Sequence, residues 1–399
     1  MPTINPTLDD ALRFYQEKRF DDTIAVCRQI LAKQPANHRA LFLLGLSCLQ
    51  TDRLAEADAA LNSAIQLAPK IASYHNTLGA IYSAQQRYTD AIASHRRALA
   101  LKSDYPEAHN NLGAALADHR RFDDAIACYR EAIRLQPDYV DAWINLGNAF
   151  HKLGQFDSAA DAFREALRLR PDSREARYFL AAATGVGSPP IAPAKFVVSL
   201  FDQFASTYDQ NLTEKLRYRV PDLLSEAVQA VGVKDKLATL DLGCGTGLCG
   251  AQFRLISSSL VGVDLSPKML AKAKERGIYD ELIAADLAGF LENNSRRFDL
   301  ILAADVFPYF GDLTAVFRDV ARALRPAGLF AFTVEALEHA GKGNDYRLQS
   351  TRRFAHARPF LDRIASELGF APMRFQLETI RMDDNVPVAG WVVLLRTRD

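Results

Sequence analysis

The stretch LDLGCGTGL, residues 240–248, decides how the second half of this chain is read. An apolar run of strand length, 237–242, leads directly into Gly243, Gly245 and Gly247. A strand followed by a glycine turn is the opening of a nucleotide-type α/β unit. Residues without a Cβ let the backbone bend tightly and approach a ligand closely.

Working outward, strand and helix patterns alternate. Apolar strand candidates lie at 238–242, 260–264, 282–285, 300–304 and 329–334, with helical segments between them, including 267–276 and 312–324. Ser266-Pro267 is a helix start: a hydroxyl cap, then proline at the first helical position. Such alternation implies a parallel sheet with helices on both faces. Two longer strands near 373–382 and 390–397 follow, and the short DDNVP connection makes them an antiparallel hairpin.

Upstream, the chain repeats. Gly45, Gly79, Gly113 and Gly147 are spaced 34 apart. Ala57, Ala91, Ala125 and Ala159 keep the same spacing, as do Ala64, Ala98, Ala132 and Ala166. Pro69, Pro137 and Pro171 close three of the units, and Ser103 takes the proline place in the other. Small residues let paired helices pack closely, and proline ends the second helix. Leu78, Leu112, Leu146 and Tyr82, Leu116, Phe150 supply the apolar positions between helices. This pattern resembles the tetratricopeptide repeat. About five repeats plus a capping helix are expected over 1–184. A Gly/Pro linker, 185–195, and an α/β domain, 196–399, should follow.

Bulk properties narrow the class. The 399 residues hold 48 Lys plus Arg and 48 Asp plus Glu, so no net field draws the chain to nucleic acid or to an anionic membrane. The five cysteines include no CxxC pair, which argues against a disulfide framework or thiolate zinc site and for a reducing, cytoplasmic setting. MPTINPTLDD lacks a basic and then apolar stretch, so no secretory signal is expected. No apolar run approaches membrane-spanning length.

The order of strands resembles the class I S-adenosylmethionine-dependent methyltransferase fold, Rossmann-like and seven-stranded with an antiparallel last strand. Three points separate it from dinucleotide-binding folds. Leu248 stands where the third dinucleotide glycine would be. Asp241 precedes the turn, where it would repel a pyrophosphate. No arginine follows to neutralise phosphate. By this resemblance Asp241, Gly243, Gly245 and Gly247 hold the methionine part of the cofactor. Asp264 takes the ribose hydroxyls, with Leu265 and Met269 beside the adenine. Asp286 and Leu287 meet the adenine edge, although Asp286 also reads as a helix N-cap. Asp305, Phe307 and Tyr309 border the methyl group and acceptor.

The flanks, 201–224 and 346–370, resemble bacterial predicted methyltransferases that carry tetratricopeptide repeats. Tyr208 then covers the cofactor, or is a core tyrosine. Arg219 pairs with the cofactor carboxylate or an acidic substrate. Tyr346 and Arg353 face substrate, and His356 is a candidate base or carboxylate binder, or a structural histidine. No His/Cys/carboxylate cluster has metal spacing, so metal-independent chemistry is expected.

Asn76, Asn110, Asn111 and Asn145 precede the Leu-Gly step of three repeats, as in the peptide-binding superhelix of O-GlcNAc transferases. They either read backbone amides of a bound peptide or satisfy bonds between repeats. The expected function is methyl transfer from S-adenosylmethionine to a peptide or protein presented by the repeat groove, yielding S-adenosylhomocysteine. The alternatives are a small-molecule methyltransferase whose repeats mediate assembly and an inactive scaffold.

Overall fold

The computed structural model describes residues 7–205, 207–233, 236–338, 345–383 and 385–398. It divides into two compact units, Met1–Ala176 and Arg177–Asp399.

The first unit is a run of helix pairs: α1 (Leu8–Gln16) and α2 (Phe20–Lys33), α3 (His38–Gln50) and α4 (Leu54–Leu67), α5 (Ala72–Ala84) and α6 (Tyr88–Leu101), α7 (Pro106–Asp118) and α8 (Phe122–Leu135), α9 (Val140–Lys152) and α10 (Phe156–Leu169). The repeating glycines are where paired helices touch. A Cβ on Gly79, Gly113 or Gly147 would lie 2.6, 2.6 or 2.5 Å from the ring of His95, Tyr129 or Phe163. The repeating alanines are fully buried. These three pairs thus trade a side chain on one helix for a ring on the other, and in the pair α3–α4 Gly45 faces Leu61 instead.

The boundary falls inside α11 (Arg174–Thr184). Its later residues belong to the second unit. Tyr178 is fully buried, donates to the Arg352 carbonyl at 2.5 Å, and packs against Phe196 and Phe354.

The second unit continues through α12 (Ala194–Phe204), the turn α13 (Tyr208–Gln210) and α14 (Val220–Gln229) into the sheet. Its elements are β1 (Leu237–Leu242), α15 (Leu248–Phe253), β2 (Ser257–Asp264), α16 (Pro267–Arg276), β3 (Glu281–Ala284), α17 (Leu287–Asn293), β4 (Phe298–Ala303), α18 (Thr314–Ala323) and β5 (Leu324–Ala336). Then come β6 (Tyr346–Leu348), β7 (Phe354–His356), α19 (Arg358–Glu367), β8 (Phe370–Asp383) and β9 (Val386–Thr397).

The order β3-β2-β1-β4-β5 is parallel, and β9 joins β5 antiparallel with β8 beside it. That is the expected architecture, with one difference. The seven long strands are joined by the short hairpin β6–β7, giving nine among the described residues. The reason is local. Phe354, Ala355 and His356 are all buried, so that segment reaches the core as strand instead of staying a surface insertion.

One sheet face packs under Val220, Leu224 and Phe253, whereas Phe307, Phe317, Phe330 and Phe332 form an aromatic cluster. No helix among the described residues is long and apolar enough to cross a membrane.

Candidate active site

Parallel strands bring their C-terminal ends to one edge, and ligand sites in such sheets lie there. Here that edge borders a cavity. Three stretches of chain line it: Gly243 and Gly245 after β1, Asp264 to Ser266 after β2, and Asp286 and Leu287 after β3. Ala304, Asp305, Val306, Tyr309 and Phe310 after β4 form a second wall. The third is the segment before β1, through Ile191, Ala192, Ala194, Val197, Val198, Phe201 and Tyr208.

The glycine loop turns as its sequence requires. Gly243 has φ 65°, and a Cβ there would stand 2.4 Å from Val306 Cγ2. Gly245 has φ 54° with open space where a Cβ would be. The Gly243 and Cys244 N–H groups donate to the Val263 carbonyl at 2.8 and 3.1 Å, fixing the loop against β2.

Asp264 spans that loop and the next. Its Oδ2 accepts from Gly245 N at 2.9 Å and its Oδ1 from Ser266 N at 2.8 Å. Burial raises its pKa, opposed by those bonds. Each oxygen keeps a lone pair for a further donor. Asp286 caps α17 through Gly289 N at 2.9 Å while lining the cavity.

The third wall is strapped down. Ile191 bridges Phe310, Ala192 N donates to the Tyr309 carbonyl at 2.9 Å, and Gly311 N to the Pro190 carbonyl at 2.8 Å. The Ser266 hydroxyl donates to Asp202, and Asp209 holds Thr246 and Arg276. Phe201 packs edge-on to both Tyr208 and Tyr309. Part of the expected linker, 185–195, is therefore cavity wall.

Comparisons with known proteins find matches in both halves of the chain. Residues 240–332 match the family described as methyltransferase domain. Residues 14–81, 112–174 and 144–183 match tetratricopeptide repeat families, and 79–119 a TPR repeat family. The chain is a tetratricopeptide-repeat protein with a methyltransferase domain of the S-adenosylmethionine-dependent class.

Similar curated proteins include the malonyl-(acyl-carrier protein) O-methyltransferase of Pseudescherichia vulneris, 29% identical over 165 residues, 40% of this chain and 63% of that protein. That of Enterobacter lignolyticus (strain SCF1) is 28% identical over 217 residues, 52% of this chain and 79% of that protein. The chain thus spans under two thirds of the first relative's length. Among solved structures, the Burkholderia thailandensis 1,6-didemethyltoxoflavin-N1-methyltransferase with bound S-adenosylhomocysteine is 21% identical, with a TM-score of 0.42 over 54% of this chain and 94% of that one.

Within the methyltransferase unit, several expected site residues lie away from the cavity. Asp241 is fully buried and accepts from the Tyr279 hydroxyl at 2.7 Å. Burial raises its pKa to about 7. It braces the loop from beneath. Gly247, φ 89°, faces Tyr279 in the same way. Met269 and Phe307 are core residues, exposed by 1% and 0%. Arg219 is more than half exposed and stands 3.9 Å from Glu378.

His356 corrects the expectation of a base. It is buried on β7, and Nε2 donates to the Gly311 carbonyl at 3.0 Å. Burial lowers its pKa to about 4. It anchors the turn after β4 and does not line the cavity. Tyr346 packs on Phe354, His356 and Gly311. Arg353 lies just behind the lining, bonded to the Tyr309 hydroxyl and 3.8 Å from Glu335.

What the sequence reading missed is a buried ion cluster behind Asp305. Arg381 Nη1 donates to Asp305 Oδ1 at 3.0 Å, and its other Nη bonds Glu335. Arg381 and Glu335 are 2% and 5% exposed. Nothing local in β5 or β8 announces this pair.

In the repeat unit, Asn111 donates to Asn76 at 3.3 Å and Asn145 to Asn110 at 3.0 Å. Asn76 is also bonded to His95 at 2.8 Å. Asn76 and Asn110 are buried, so their oxygens serve contacts between repeats. Asn111 and Asn145, the donors of these bonds, are half-buried.

Proposed function

We propose that this chain transfers a methyl group from S-adenosylmethionine, which the cavity at the C-terminal edge of the sheet binds. The observation that carries the reading is Asp264: two backbone bonds orient it into the cavity, with a lone pair left on each oxygen. That suits a pair of ribose hydroxyls. Gly243 and Gly245 leave room for the amino-acid part, Leu265 and Leu287 flank the base, and Asp286 faces its amine. The acidic lining fits a cationic cofactor. Bound there, S-adenosylmethionine supplies a methyl group on positively charged sulfur. The residues contribute alignment, exclusion of water by Phe201 and Tyr208, and an aromatic face for the cation.

The acceptor in this reading is peptide- or protein-borne and recruited through the repeats. Two things support it: repeat arrays of this type present surfaces to protein partners, and the curated relatives are named for a carrier-protein substrate.

Calorimetric titration with S-adenosylhomocysteine tests the cofactor. Asp264→Ala is expected to weaken binding by about 1–3 kcal/mol, the scale of a lost charged hydrogen bond. Folded protein that ignores millimolar ligand sinks the proposal. For the acceptor, a chain beginning at residue 174 should lose kcat/KM while keeping S-adenosylhomocysteine affinity. Undiminished kcat/KM assigns the repeats to assembly instead.

A further inference from the structure

The ionisable groups lining the cavity are Asp264, Asp286 and Asp305, with the hydroxyls of Tyr208 and Tyr309; no Lys, Arg or His among the described residues lines it. Asp264 and Asp286 stand at the glycine-loop end. Asp305 belongs to the other wall, with Tyr309 and Phe310 after β4.

Its placement is unusual in two ways. The backbone is left-handed, φ 56°, a conformation that residues other than glycine, Asn and Asp seldom adopt. Its N–H donates to the buried Thr333 hydroxyl at 3.1 Å, which holds that turn. The carboxylate is gripped on one oxygen only, by Arg381 at 3.0 Å. Arg381 lies outside the lining and is tied on its other side to Glu335. A strained residue and a desolvated arginine together aim one carboxylate at the cavity from behind. The same cavity is lined by the apolar side chains of Val197, Val198, Phe201 and Phe310.

We infer that Asp305 faces the methyl acceptor, and that this acceptor is an amine or hydroxyl on an apolar body and not a carboxylate. The inference rests on the cofactor reading above. A carboxylate acceptor would put a second negative charge beside Asp305, where both nearby cations are already committed: Arg381 to Asp305 and Glu335, and Arg353 to Glu335 and the Tyr309 hydroxyl. An amine or hydroxyl brings a donor to that oxygen. In the reaction the acceptor lone pair forms the new N–C or O–C bond. The S–C bond breaks, its electron pair stays on sulfur, and the acceptor's proton passes to the Asp305 carboxylate and on to water. Arg381 and Glu335 are positioning residues.

The test uses the full chain saturated with S-adenosylhomocysteine, whose neutral sulfur makes no demand on Asp305. Hexylamine, hexanol and hexanoate are titrated by calorimetry. Hexylamine is expected to bind about ten-fold more tightly than hexanoate, with hexanol between, as a charged hydrogen bond commands. Asp305→Asn tolerates the same backbone. It should lower hexylamine affinity by about ten-fold and leave that of S-adenosylhomocysteine unchanged. Hexylamine failing to bind, hexanoate matching it, or Asn leaving it unaffected overturns the inference alone. Failure of S-adenosylhomocysteine to bind overturns the cofactor reading and this inference with it.

Discussion

The two units differ in where they place charge: both carry exposed ion pairs, but among the described residues only the second also buries a cluster of them. In the repeat array, arginines meet acids one helical turn away in water: Arg121 with Asp124, Arg134 with Glu131, Arg168 with Glu165, their side chains between 37% and 66% exposed. In the methyltransferase unit, Arg381 and Glu335 are sealed in, and Asp305 leads from them to the cavity. Surface pairs of the first kind contribute little to stability, and their number makes each dispensable. A buried cluster is the reverse: it is costly to assemble and costlier to break. The array is therefore built from interchangeable contacts between neighbours, and the catalytic unit from a few contacts that cannot be exchanged.

The largest expected effect follows from that contrast. Arg381→Ala strands Glu335 and should destabilise the α/β unit by about 3–5 kcal/mol in urea unfolding. A loss below about 1 kcal/mol would erase the difference between the units.

Next is Tyr178, which follows the repeats in sequence but packs within the second unit. Tyr178→Ala should cost about 3 kcal/mol there. A chain starting at 185 should melt below one starting at 174. Equal melting temperatures would move the boundary back to the Gly/Pro stretch.

A third prediction concerns pH. Burial lowers the pKa of His95 from 6.5 to about 4. As pH falls below 6.5 the unfolded chain takes up a proton that the folded repeat refuses. Stability is then present above 6.5 and lost by about 1.4 kcal/mol per pH unit down to about 4. His95→Tyr, matching Tyr129 one repeat on, should flatten that slope in thermal unfolding of the array; an unchanged slope would place the acid sensitivity elsewhere.

Smaller again, Gly147→Ala presses on Phe163. It should cost about 1–3 kcal/mol, reduced by the ~1 kcal/mol that alanine adds to a helix. At the bottom of the range, Arg134→Ala should leave the unfolding midpoint where it is.

How much of this was legible in the sequence depended on distance along the chain. Gly243, Gly245, Asp264, Leu265, Asp286 and Leu287 sit at successive strand ends, and a parallel sheet must gather those ends on one edge. Period and small residues revealed the array for the same reason: its contacts are with neighbours. Arg381 lies on the last hairpin and reaches Asp305 across 76 residues, which no local pattern records. Tyr279, which braces Asp241 from 38 residues away, is likewise beyond any local pattern. His356 was singled out because its flank, 346–370, resembles a segment expected near substrate, whereas the fold carries it into the core as strand and buries it completely. The asparagines left two readings open in the sequence, because the spacing that suits a ligand ladder also suits a chain of bonds from repeat to repeat.

The left-handed turn at Asp305 has an evolutionary consequence. Few residues tolerate that backbone, and asparagine is one of them. The commonest acceptable replacement is thus the one that removes the charge and preserves the shape. The backbone would survive it, at the cost of the ion pair with Arg381. On the acceptor reading proposed above, a descendant that keeps this fold and abandons its chemistry lies a single substitution away.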